Sequence, residues 1–124
     1  MNFQEQLQVH LTAIQQRDLP AFLSTMTQAE AFSCILPNGK YFEQRSAFVD
    51  FTRDWFADPD WQITFELLKT IETAQMSIAL LSVHYADKDA TGTPYELNYY
   101  LSLGFVLEDG AWRLVFDQNT LYKG

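Results

Sequence analysis

The chain is 124 residues long, 48% hydrophobic, 19% charged and 15% aromatic, which suits one globular domain spanning residues 1–124. Sixteen acidic residues against eight scattered basic ones leave a net charge of −8, so neither nucleic acid nor a membrane surface is an expected partner, since binding phosphate needs clustered cations. No stretch approaches the ~18 apolar residues of a membrane span, the start lacks the features of a signal peptide, and Cys34 is the lone cysteine, so the expected location is a reducing cytoplasm.

Phe3, Leu7, His10, Leu11 and Ile14 recur at helical spacing, and Asn2 with Glu5 suits a helix start. Asp18 can cap a second, short helix with Pro20 in its first turn and Leu19, Phe22, Leu23 and Met26 inward. Residues 29–36 read as a short strand ended by a Pro37-Asn38-Gly39-Lys40 turn. A third helix follows over about residues 44–56, with Phe48, Phe51 and Trp55 on one stripe and Asp58-Pro59-Asp60 as its stop. Beyond it the pattern turns to β: residues 61–71, 75–87, 94–107 and 111–122 are rich in β-branched and aromatic side chains. All four exceed the usual strand length, and Gly104 inside the third is a natural place for a bulge. Helices first and a long-stranded meander after them is an α+β layout.

The last hairpin can be registered residue by residue. Asp109-Gly110 between two apolar strands is a strong two-residue turn signal, and it sets Leu107 opposite Trp112, Phe105 opposite Leu114, Leu103 opposite Phe116 and Leu101 opposite Gln118. Tyr99 then faces Thr120. Alternation puts all of these on one face, which must lie against the helices. Tyr100, Val106, Val115 and Asp117 share the other, mixed face.

Several motifs, in this order, resemble the SnoaL-like, ketosteroid-isomerase-like branch of the nuclear-transport-factor-2-like superfamily. They are Arg17-Asp18-Leu19-Pro20-Ala21-Phe22 after an amphipathic helix, the Leu36-Pro37-Asn38-Gly39 turn, the Phe48/Phe51/Trp55 helix, and Glu108-Asp109-Gly110-Ala111-Trp112-Arg113-Leu114 leading to Phe116-Asp117-Gln118-Asn119-Thr120. The resemblance implies a cone, with a strongly curved antiparallel sheet wrapped around three helices and a pocket inside. It also implies a homodimer through the outer sheet face, here Tyr100, Val106 and Val115. Relatives with known chemistry carry acids or histidines on the inner face; the matching positions here are Leu103, Phe116 and Gln118, so those handles are absent.

The polar groups left for the pocket are few. In the simple register Tyr99, Gln118 and Thr120 face inward and can orient a ligand or bond one another, with Trp55, Phe116 and Leu103 as pocket wall. His84 is a natural general base if Ser82 and His84 point inward, which depends on the loop over residues 88–93. His10 reads as a structural histidine on its helix's apolar stripe. The resemblance to polyketide cyclases, whose base is an aspartate on the closing strand, draws attention to Asp117. Without a bulge Asp117 is a surface carboxylate; a bulge near Gly104 turns Asp117 and Asn119 inward. No metal-ligand spacing, phosphate loop or cofactor motif is present. The leading expectation is therefore a pocket that binds a small hydrophobic molecule without a cofactor. The alternatives are a cofactor-independent proton-transfer enzyme with His84 or Asp117 as base, and a dimeric scaffold whose pocket Phe116 and the tyrosines collapse.

Overall fold

A computed structural model describes residues 1–122 as three helices and a six-stranded, curved, unclosed sheet. Helix α1 (Phe3–Gln15) starts at a capping box: the Asn2 side chain accepts from the Glu5 amide at 2.8 Å while the Asn2 amide donates to the Glu5 carboxylate at 2.9 Å. Helix α2 (Leu19–Ser24) is capped by Asp18, which accepts from the Ala21 amide at 3.1 Å, and Pro20 sits in its first turn. Strand β1 (Ala31–Ile35) and the four-residue β2 (Tyr41–Gln44) flank the Pro37–Lys40 turn, and α3 (Arg45–Ala57) follows directly. Strands β3 (Gln62–Glu72), β4 (Met76–Lys88), β5 (Pro94–Glu108) and β6 (Ala111–Leu121) complete the chain. No helix among the described residues is long and apolar enough to cross a membrane.

The sheet order is β2-β1-β6-β5-β4-β3. Four of its neighbouring pairs are antiparallel, three of them the predicted meander β3–β6 and the fourth β1 with the unpredicted β2, whereas β1 runs parallel to β6, pairing Ser33 with Phe116 and Cys34 with Asp117. The β1–β6 pair is the one parallel junction in the described sheet. The reason is topological: β1 precedes α3 and the meander, so it reaches β6 only after the chain has wrapped round the helices. Tyr41 begins β2 and is 55% exposed.

The β5–β6 hairpin decides the site. Asp109 and Gly110 take φ of 51° and 82°, the left-handed pair of a tight hairpin turn, and Leu107 faces Trp112 and Phe105 faces Leu114 as predicted. One residue later the register slips: Gly104 pairs with Phe116, which leaves Val115 as an extra residue on β6. From there on Leu103 faces Asp117, Leu101 faces Asn119 and Tyr99 faces Leu121. The side-chain period of a strand is two, so one extra residue inverts every face beyond it. Gly104 permits this, since a Cβ there would stand 3.2 Å from the Phe116 Cβ.

The concave face of the sheet packs on α1, α2 and α3. Leu7, Phe22, Met26, Leu81, Leu103, Phe105 and Leu114 are fully buried between them. His10 is buried there too, against the rings of Phe22 and Phe105. Thr25 donates its one hydroxyl proton to the Phe22 carbonyl, so His10 Nδ1, 2.8 Å from that hydroxyl, must be the donor. Burial lowers its pKa to about 3, and the ring is a neutral structural element.

Candidate functional site

Between α3 and the wide part of the sheet lies a cavity of about 380 Å³. Its walls are apolar and rich in aromatic side chains, with Phe48, Phe51 and Trp55 from α3 and Phe65, Tyr85 and Tyr99 from the sheet. Pro37, Asn38 and the 38%-exposed Tyr95 lie at its rim. None of the side chains lining it is Lys, Arg or His.

Asp117 is the carboxylate in this wall. The bulge at Val115 turns it inward, where it is 8% exposed. Burial in apolar surroundings disfavours the ionised form and pushes its pKa up to about 7, against smaller opposing effects of hydrogen bonds from Asn119 and Cys34. Asn119 spends both amide protons on its neighbours, donating from Nδ2 to Asp117 Oδ1 at 2.9 Å and to the Ile35 carbonyl at 2.7 Å. That leaves the Asn119 carbonyl as an acceptor and holds Asp117 in place. Cys34, opposite Asp117 on β1, is a buried thiol held well above its usual pKa by burial and by the adjacent carboxylate. Tyr99 completes the group: 5% exposed, it lines the cavity, and its hydroxyl has no hydrogen-bond partner among the described residues. Burial first, and the Asp117 charge second, keep that phenol protonated.

The expected site residues separate into two sets. Asp117, Tyr99 and Trp55 meet in the cavity. Leu103 points inward but is core, fully buried and outside the cavity wall. Phe116, Gln118 and Thr120 lie on the outer face, because they follow the bulge and the simple register does not survive it. His84 is outward as well. On β4 the buried parity is Ser77, Ala79, Leu81, Val83 and Tyr85, so His84 stands on the solvent side, donating from Nδ1 to Asn98 Oδ1 at 2.9 Å and from Nε2 to Glu96 Oε1 at 2.8 Å. Those contacts raise its pKa, the Asn98 hydrogen bond foremost, but no part of it reaches the cavity. A cavity of this size is also not one that Phe116 fills.

Sequence reasoning missed Tyr85, Asp87 and Tyr95. Tyr85 donates to Asp87 Oδ2 at 2.6 Å and accepts from Trp55 Nε1 at 3.2 Å, so α3 and β4 are tied together at the cavity's second end. The signal was the turn between β4 and β5: Asp89 Oδ1 accepts from the Thr91 and Thr93 amides, which sets Lys88 opposite Pro94 and Tyr85 opposite Leu97.

A curved sheet folded over three helices, with one acid turned into an aromatic interior, defines a cone-shaped α+β protein of the nuclear-transport-factor-2-like kind. The SnoaL-like domain family matches residues 5–119, and the chain belongs to that family. Among solved structures it is similar to a ketosteroid isomerase-like protein from Erwinia carotovora atroseptica, at 14% identity and a TM-score of 0.79, covering 98% of this chain and 94% of that one. An NTF2-like superfamily protein from Salmonella enterica serovar Typhimurium matches at 15% identity and 0.78, covering 97% and 88%. The association domain of Caenorhabditis elegans CaMKII matches at 17% identity and 0.65, covering 92% and 88%. No curated protein matches the sequence.

Proposed function

We propose that the protein is a cofactor-independent proton-transfer enzyme, of isomerase, cyclase or dehydratase type, acting on a small and largely apolar organic molecule with Asp117 as general base. The observation that carries this reading is the bulge at Val115, which delivers a carboxylate with a near-neutral pKa into an aromatic cavity lined by no cation. A base works best when its pKa lies near the working pH. The ionised Asp117 takes a proton from a carbon next to a carbonyl, and the electron pair left behind moves onto the carbonyl oxygen. Tyr99, with a free hydroxyl proton, donates to that oxygen as charge develops there. Asn119 donates to Asp117 Oδ1 and so fixes the carboxylate in the cavity wall. Membership of the SnoaL-like family and the likeness to a ketosteroid isomerase-like protein support the same class.

Nitrobenzisoxazole is a suitable probe, because removal of its ring C–H proton breaks the N–O bond and releases a coloured cyanophenolate. Turnover should rise with pH to a plateau, with its midpoint near 7. Asp117→Asn should lower it by about a hundredfold or more, whereas His84→Gln should leave it unchanged. A rate indifferent to Asp117→Asn would sink the assignment.

The working unit in this proposal is a homodimer joined through the outer sheet face. That face exposes Tyr100, Ile78 and Phe116 beside the half-buried Val106 and Val115, an apolar patch of the kind that marks interfaces. Tyr100→Glu should convert the dimer to monomer in sedimentation velocity at micromolar concentration. An unchanged sedimentation coefficient would place the contact elsewhere.

A further inference from the structure

At one end of the cavity two lining phenols, Tyr85 and Tyr95, reach the same carboxylate, Asp87, which stands behind them and is not itself part of the wall. Asp87 Oδ2 accepts from Tyr85 at 2.6 Å and is 3.5 Å from the Tyr95 hydroxyl, while Oδ1 accepts from the Lys88 amide at 2.7 Å. No side-chain cation pairs with Asp87 among the described residues; the ion pairs found are Arg53–Asp50 and His84–Glu96, both elsewhere. Burial first, then the charge and hydrogen bond of Asp87, with Asp58 and Asp89 behind them, hold the Tyr95 phenol above its usual range. A carboxylate thus stands directly behind the phenols at this end, aromatic side chains line the wall, and no lining residue is Lys, Arg or His. Deeper in, Tyr99, 5% exposed, lines the same space, and its hydroxyl has no hydrogen-bond partner among the described residues, so it is open to a ligand group.

We propose that the ligand is an organic cation: a protonated amine on an aromatic or alicyclic body. The ammonium sits against Tyr85, Tyr95 and Trp55, in the field of the Asp87 carboxylate behind the two phenols, and the body extends toward Tyr99 and Asp117. This rests on the reading of the cavity as the ligand site and adds the ligand's charge to it. An ammonium gains from the unneutralised carboxylate and from ring faces, which attract cations. An alcohol of the same shape satisfies the hydrogen bonds but leaves the charge uncompensated. A carboxylate in that position is repelled. The net charge of −8 works in the same direction, raising the local concentration of cations.

Three probes that share one ring separate these cases: naphthylmethylamine, naphthylmethanol and naphthoate, titrated into the intact protein by calorimetry at neutral pH. The amine should bind about tenfold tighter than the alcohol, and its advantage should shrink as salt is added. Naphthoate should show no binding. Asp87→Asn keeps an acceptor for Tyr85 and should bring the amine down to the alcohol's affinity while leaving the alcohol unchanged. Equal binding of amine and alcohol to the unsubstituted protein, or an amine preference that survives Asp87→Asn, overturns the inference and leaves the cavity reading intact. Failure of all three probes to bind overturns both.

Discussion

Asp117→Asn is expected to make the protein more stable at about pH 8 by roughly 2–4 kcal/mol while removing the base from its cavity. The carboxyl has a pKa of about 7 in the folded protein against 3.8 as its ordinary value. Between those values the unfolded chain has lost the proton and the folded chain keeps it. The folded state is thus favoured at acid pH, and that advantage is lost as pH rises through 7. Each pH unit in this window is worth about 1.4 kcal/mol, so the full gap of about three units approaches 4 kcal/mol. An asparagine has nearly the same shape, keeps an acceptor for Asn119 and never ionises. The difference in stability between variant and parent should be near zero at about pH 4, grow with pH, and level off above about pH 8. For a chain of this length each kcal/mol moves the melting temperature by roughly 4 °C. A variant that melts at or below the parent temperature at every pH would refute the buried, reluctant carboxylate.

His10 sharpens the test because its slope has the opposite sign. Its pKa falls from 6.5 to about 3 on burial, so the unfolded chain gains a proton below 6.5 that the folded chain refuses. Stability therefore drops as pH falls through that range, while the Asp117 contribution rises. In the parent the two nearly offset between about pH 4 and 6.5. In Asp117→Asn the His10 slope stands uncovered, about 1.4 kcal/mol per pH unit below 6.5. A stabilising substitution that also makes the protein more acid-sensitive is an unusual combination, and urea unfolding at several pH values would display it.

The same bulge explains what the sequence could and could not reveal. Asp109-Gly110 is local turn chemistry, and the first two hairpin pairs follow from it. Gly104 marks where a bulge can form, but it does not say that β6 takes the extra residue, and Phe116, Gln118 and Thr120 therefore exchange faces with Asp117 and Asn119. On β4, Ile78, Ala79, Leu80 and Leu81 are apolar on both parities, so alternation cannot choose the side of His84. The parallel β1–β6 pair joins residues more than eighty positions apart through hydrogen bonds that no turn announces. In β2 only Phe42 is buried, which is too little pattern to distinguish a strand from a loop. The helices, by contrast, carried apolar stripes that depend only on near neighbours, and α1 and α2, which also carry caps, start where those signals put them.

Trp61→Ala is expected to have the largest effect on stability of any single truncation near the cavity. Trp61 is completely buried and stacks on Trp55 with centroids 4.3 Å apart and planes 17° apart. Its Nε1 donates to the Trp55 carbonyl at 2.8 Å. On its other face the Arg17 guanidinium lies 3.8 Å from the ring centroid, held there by the Asp58 and Trp61 carbonyls. Arg17 itself has a left-handed backbone with φ of 54°, a strained turn out of α1 that these contacts stabilise. Truncation to alanine removes the ring from both faces and leaves a cavity, at a cost of about 3–5 kcal/mol. That is a large share of the ~5–15 kcal/mol a domain holds in reserve. Trp61→Phe keeps an aromatic face and loses the N–H donor, so it should cost less than half as much and remain folded. Loss of the prop also reaches the site, because Trp55 is then free to leave Tyr85, and naphthylmethanol should bind both variants more weakly in proportion. Leu114→Ala is the control: equally buried but outside the cavity wall, it should cost about 2–5 kcal/mol and leave binding by the folded fraction unchanged. If Trp61→Phe bound the probe as the parent does while Leu114→Ala weakened it, the stack would be packing alone, and the cavity's shape would be set from β6 rather than from α3.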